Sequence, residues 1–275
     1  MNKLVGIILL VIIFVSNSTG SINLSSLSFS SPSDSVTHKV SLGAKTASAK
    51  TTLLSRYNFN DSITNLYNTI GLKELGLGYD AFRYAMIGYH ALKNEDKLSS
   101  KNLISIIDFS KASTEKRFYT IDLDTYKIRF HSLVSHGRNT GQNIAKSFSN
   151  IPHSNQSSLG FYITGETYVG SKGYSLRLDG VDGKFNSNMR KRAVVMHAAD
   201  YVSEAWIEKY GRLGRSQGCP ALPNELSRKV IDTIKDKTMI FAYFKDDAYF
   251  EASAYLDLDN LWKKLGDQEE ISASI

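Results

Sequence analysis

The chain has a single cysteine, Cys219, among 275 residues. An internal disulfide framework is therefore excluded, and the fold has to rest on its packed core. Basic residues are spread along the sequence: the formal net charge is +6, but no basic block with interleaved aromatics occurs. That excludes nucleic acid as an expected partner. Histidine and cysteine never fall in a close pair of the H-x-x-x-H or C-x-x-C kind. A zinc site would have to draw its ligands from His197, Cys219, His136 and Asp200, so no metal is expected. After the first fifteen residues no apolar run approaches the roughly 20 residues of a membrane-spanning helix. There is no internal repeat. Strands and helices do not alternate as they do in a doubly wound parallel sheet.

What is present begins at the N-terminus. Lys3 precedes twelve apolar residues, Leu4 to Val15, and small polar residues follow. This is the order of a secretory signal peptide over residues 1–20, cleaved near Gly20. The alternative is an uncleaved anchor, which would be the chain's only contact with a membrane. No cysteine lies near that point, so a lipid-modified N-terminus is excluded. The expected location is outside the inner membrane, in the periplasm or cell envelope. A mildly basic exported protein suits an anionic polymer there.

Residues 21–55 are serine-rich and poor in large apolar side chains, and read as a linker. Residues 56–100 read as a helical segment, with Phe82, Ala85, Met86 and Tyr89 on one face and His90 as a packing or surface residue. From Lys101 the pattern turns to strands. "NLISIIDFS" is a short apolar run, and "KRFYTIDLDTYKIRFHSLVSHG" gives two alternating strands joined at Asp124-Thr125. A glycine- and serine-rich tract holds further strand-like pieces at Gly160 to Thr164 and Tyr174 to Leu178. "AVVM" runs as a strand into His197, "PNELSRKVIDTIKDK" reads as a helix, and "TMIFAYF" as a last strand. The expectation is a mostly β, β-rich α+β fold over 101–245 with one or two packed helices. Residues 246–275 form an acidic, partly aromatic tail with no role assigned.

An unpaired cysteine in an exported protein is a reactive thiol, half of an intermolecular disulfide, or a small buried hydrophobe. Its neighbours distinguish these. Gly218 leaves room for an acyl group beside the sulfur and permits a tight turn that can aim backbone N–H groups at an oxyanion. A thiol needs a base to become a nucleophile, and His197, held on a strand, is the best placed of the six histidines. Arg215 adds positive charge for the thiolate or for a substrate carboxylate. The structural alternatives are that His197 only caps a strand and that Arg215 pairs with Asp200 or Glu204. His136 ends a strand before a glycine and lines the cleft or is structural. His131 and His153 read as structural or exposed.

His197 followed by "SQGCPAL" resembles the signature of the YkuD-type L,D-transpeptidase catalytic domain, the cysteine enzymes that crosslink murein. "IIDFS", "VSHGRNTG", "FSN", "SSLGFYITGETYVG", "GYSLRLDGVD" and "GRLGRSQGCPAL" resemble one branch of that family, in order, between about 100 and 245. The resemblance implies a β-sandwich or barrel, Cys219 as nucleophile, His197 as base, peptidoglycan as partner and no cofactor. It implies that the Ala198 carbonyl orients His197, that the Gly218 and Cys219 N–H groups form the oxyanion hole, and that Ser216 supports the turn. Two positions depart from the family pattern: Gln217 stands where a histidine is common, and Pro220 and Ala221 replace an arginine after the cysteine. Arg215 would then take over the carboxylate contact, with Gln217 beside it. The implied reaction is a 3→3 crosslink through a thioacyl-enzyme. A hydrolase of the same fold, cutting stem peptides or wall-anchored protein, and a non-catalytic wall-binding domain are the alternatives.

Overall fold

The computed structural model describes residues 58–259 and 261. The expected signal peptide, the serine-rich linker and the end of the acidic tail lie outside the described residues.

The helical segment is two helices, not one. Helix α1 runs over 58–70, the chain turns through 71–78, and α2 is Tyr79–Asn94. Gly71 and Gly76 stand in the break with φ of +72° and +75°, a conformation that stops a helix and suits glycine. Phe82, Ala85, Met86 and Tyr89 lie on the buried side of α2, as their spacing requires. Gly88 lets this helix approach the sheet closely: a Cβ there would stand 2.0 Å from the Phe161 ring. His90 packs edge-on against Phe59 and Tyr89.

The strands are β1 (Leu103–Asp108), β2 (Phe118–Asp122), β3 (Lys127–Ser132), β4 (Gly160–Gly170), β5 (Gly173–Gly180), β6 (Val195–Ala198), β7 (Ala221–Leu222) and β8 (Met239–Tyr243). They form one mixed sheet in the order β3-β2-β1-β8-β4-β5-β6-β7. The β2–β3 hairpin turns where the sequence placed it, and the β4–β5 hairpin is longer than the short pieces expected. The last strand in sequence, β8, is central: it runs parallel to β1 and antiparallel to β4. Its alternation explains why it reads as a continuous apolar run. Met239 and Phe241 face α1 and α2, whereas Ile240 and Ala242 face α5 (Asn224–Ile234) through Val230, Ile231 and Ile234.

Two short helices, α3 (Gly183–Asn186) and α4 (Glu204–Tyr210), follow β5 and β6. The segment after β3 crosses to the other margin of the sheet. There Ser135 N–H donates to the Ala221 carbonyl at 2.9 Å and Gly137 bridges Ser216. The two edge strands are thereby joined through residues 135–137, and the sheet nearly closes on itself.

The residues after β8 are part of the body. Helix α6 (Asp247–Ala252) is capped by Asp246, and Tyr249, Tyr255, Leu256 and Leu261 are buried against the same core as α1 and α2. Asp182, buried, holds this segment: it accepts from Tyr249 Oη at 2.9 Å, from Ser253 Oγ at 2.5 Å and from Phe161 N–H at 2.7 Å. Acidic composition gave no sign of this, because the anchoring carboxylate sits 67 residues upstream of Tyr249.

Candidate active site at the sheet seam

The Cys219 turn is built on Ser216. Its backbone is fixed on both sides, with its N–H donating to the His136 carbonyl at 3.0 Å and its carbonyl accepting from Arg138 N–H at 2.8 Å. Its Oγ accepts from Gly218 N–H at 3.0 Å and donates to the Cys219 carbonyl at 2.6 Å. The serine hydroxyl thus replaces backbone partners and tightens the turn. Gly218 has φ of +123°, and a Cβ on it would stand 2.7 Å from the Gln156 carbonyl oxygen. Only glycine satisfies both conditions. Beyond Pro220 the chain enters β7, where Ala221 pairs with His197.

The sulfur is half-buried and unpaired. Sγ accepts from Val195 N–H at 3.4 Å and donates to the Ala193 carbonyl at 3.8 Å. Burial pushes the thiol pKa up; the Val195 N–H and the charges of Arg192 and Lys172 pull against that without cancelling it. At rest the sulfur therefore carries its proton.

His197 lies within β6, not after it, two residues from Val195 on the same strand. Its Nδ1 is 2.7 Å from the Ala198 carbonyl. A carbonyl only accepts, so Nδ1 bears the hydrogen and Nε2 presents a lone pair. Burial lowers the pKa of the ring, as does Lys172, while the Ala198 contact opposes them. The imidazole is neutral at pH 7 and able to take a proton. Among the described residues no hydrogen bond joins the ring to Sγ; the β6–β7 register sets His197 opposite Ala221, two residues after the cysteine.

His136 is fully buried and both its ring nitrogens are occupied. Arg117 Nη2, which can only donate, lies 2.8 Å from Nδ1, and Nε2 faces the Gln142 carbonyl at 3.1 Å. Burial and Arg117 push its pKa down to about 4. It has no nitrogen left for a substrate and does not line the cleft. It holds the loop that carries Ser216.

Arg215 pairs with neither Asp200 nor Glu204. Its Nη1 donates to the Arg138 and Gly141 carbonyls at 2.8 and 3.0 Å. Gln217 is exposed beside the sulfur's turn. Asp200 accepts from Asn224, away from His197. The Gly218 N–H is taken by Ser216, so it does not point into an oxyanion site. Of the two N–H groups expected to form an oxyanion hole, the Cys219 N–H is the one that no hydrogen bond takes up among the described residues. Among those residues no three His, Cys, Asp or Glu side chains converge as metal ligands.

Sequence reasoning missed Arg192, Lys172 and Tyr201. Arg192 belongs to the "KRAVVMH" run, where only the apolar residues carried a periodic signal. Tyr201 lies close enough for the thiol to act on it: burial first, then Cys219, pushes its phenol up to about 12.

The model of a family described as L,D-transpeptidase catalytic domain matches residues 73–243. The match begins before α2 and includes that helix. No curated protein matches. Among solved structures, an L,D-transpeptidase from Mycobacterium smegmatis is 12% identical with a TM-score of 0.33, over 52% of this chain and 59% of that one. The helical cell shape determining protein Pgp2 from Campylobacter jejuni is 17% identical with a TM-score of 0.35, over 63% of each chain. In both cases this chain spans less than two thirds of the other protein's length.

Proposed function

This chain belongs to the L,D-transpeptidase catalytic domain family, and on that premise we propose that it is an exported cysteine acyltransferase acting on peptidoglycan stem peptides. One observation carries the reading: the sole thiol sits on the Val195 N–H, two residues along the strand from a neutral imidazole whose Nε2 takes up no hydrogen bond among the described residues. A wall-binding domain needs no such pair.

In the proposed cycle His197 Nε2 takes the Cys219 proton, and the thiolate adds to the carbonyl at the L-centre of the diamino acid in a tetrapeptide stem. The oxyanion accepts the Cys219 N–H. Collapse breaks the C–N bond to the terminal D-alanine, whose amine leaves with the proton from His197, and a thioester remains. The side-chain amine of a second stem attacks that thioester and gives a proton to His197. The C–S bond breaks, the sulfur recovers its proton from His197, and a 3→3 crosslink results. With water in place of the amine the same site releases a tripeptide stem. Ala198 supports His197 in its tautomer, and Ser216 and Gly218 support the turn. Arg215 and the exposed Gln217 are the side chains proposed to meet a substrate carboxylate.

The test is intact-mass measurement of the purified, exported protein after incubation with a carbapenem. One adduct is expected on wild type and none on Cys219→Ala. On His197→Ala the acylation rate at neutral pH should fall by roughly 100-fold or more. The unreacted mass also reads whether residues 1–20 have been removed, as proposed. An equal adduct on Cys219→Ala overturns the nucleophile. Muropeptide digests separate the two outcomes: new 3→3 dimers mean transfer, tripeptide monomers alone mean hydrolysis.

A further inference from the structure

Arg192 stands at the entrance to β6, and its guanidinium makes four hydrogen bonds, all to one segment. Nη1 donates to the Ser149 carbonyl and to Ser158 Oγ, each at 2.6 Å. Nη2 donates to Ser154 Oγ at 3.1 Å and to the Gln156 carbonyl at 2.6 Å. None of these acceptors is a carboxylate, and no ion pair involving Arg192 occurs among the described residues. A half-buried guanidinium satisfied entirely by neutral acceptors keeps its full charge. That charge is next to the sulfur's turn: a Cβ on Gly218 would stand 3.4 Å from Arg192 Nη2 and 2.7 Å from the Gln156 oxygen that Arg192 holds.

The next residues complete the arrangement. Ala193 has φ of +53°, a left-handed conformation costly for a residue with a Cβ. It turns its carbonyl toward Sγ, and two residues later Val195 N–H points at the same atom. The stretch 192–195 thus supplies a cation, an acceptor for S–H and a donor to the sulfur.

We propose that Arg192 is a positioning residue for the Cys219 thiol: it pins segment 149–158 under Gly218, and its charge favours the ionised sulfur. The proposal goes beyond the acyl-transfer reading in assigning a role to a residue outside the Cys219–His197 pair. Lys172 from the β4–β5 turn also acts on the sulfur, the thiol acts on Tyr201 from the loop after β6, and His197 stands on β6 two residues from Val195. All three are kept in the variants below.

The experiment uses no stem peptide and no drug, so it stands or falls apart from the transpeptidase reading. Iodoacetamide alkylation of the full chain is followed by intact mass across pH 6 to 10. The lone cysteine makes the adduct unambiguous. Arg192→Gln is expected to move the midpoint of the profile upward and to slow alkylation about tenfold at pH 7.5. Arg192→Lys, which restores a charge but not the four-way fork, should return the midpoint toward wild type. In the same Lys variant, amide exchange over 149–158 should quicken about tenfold. Arg190→Gln, two residues away and paired with Asp179 and Glu166 on the surface, should leave the profile unchanged. A folded Arg192→Gln protein with the wild-type midpoint overturns the electrostatic role. If that variant does not fold, unchanged exchange over 149–158 in Arg192→Lys overturns the clamp.

Discussion

At residue 218 two independent constraints meet, a left-handed backbone and a carbonyl oxygen 2.7 Å from any Cβ. Gly218→Ala has to move either the turn or segment 149–158, and both carry the sulfur. The expected result is a loss of roughly 1–3 kcal/mol in urea unfolding. Carbapenem acylation should slow by more than the stability loss alone explains. Acylation at the wild-type rate would mean that the turn does not set the sulfur's position. The need for glycine here was legible in the sequence, because a tight turn beside the cysteine favours a residue without a Cβ. The use of the Gly218 N–H was not legible, since it depends on which way the Ser216 hydroxyl turns. Nor was the burial of His136: a histidine before a glycine at a strand end looks the same whether its ring meets solvent or Arg117. The partner that decides this lies 19 residues upstream.

Among elements, the strands of the central sheet and α5 were readable because their apolar residues repeat at periods of two and near four. The break between α1 and α2 was hidden in a run whose helical signal continues past it. Helix α6 was hidden for a different reason: it is anchored by tertiary contacts and has no periodic stripe of its own. That anchoring makes a prediction. Tyr249→Phe deletes one of three hydrogen bonds to a buried carboxylate, whose pKa burial already raises. Unfolding free energy should drop by about 1.5–3 kcal/mol, as for other hydrogen bonds to charged groups, with acylation unaffected. A drop below about 0.5 kcal/mol would show that α6 is held by packing alone.

For the whole described domain, buried histidine makes stability depend on pH. His136 is held at about 4 in the folded state against 6.5 when free. Between those values the unfolded chain binds the additional proton. The contribution is fully present above pH 6.5 and is lost as pH falls toward 4, up to about 3 kcal/mol. His90, pushed down to about 4 by burial, and His131 and His197 shift the same way. Asp108 and Asp182, raised by burial, act in the opposite sense and add stability as they take up protons. Urea unfolding from pH 8 to 5 should therefore show a decline beginning near 6.5, flattened in His136→Gln. A flat wild-type curve would mean that the buried ring is protonated without cost.

The joining of the sheet's margins by residues 135–137 has a consequence for biogenesis. Ser216, Ala221 and the loop held by His136 meet only when residues far apart in sequence come together, a slow class of contact. A partly folded chain has its cysteine but neither the Ser216 turn nor the pinned segment. On the proposed reading the thiol is armed only when folding ends, and acylation by a covalent inhibitor would then measure the fraction of molecules that have finished.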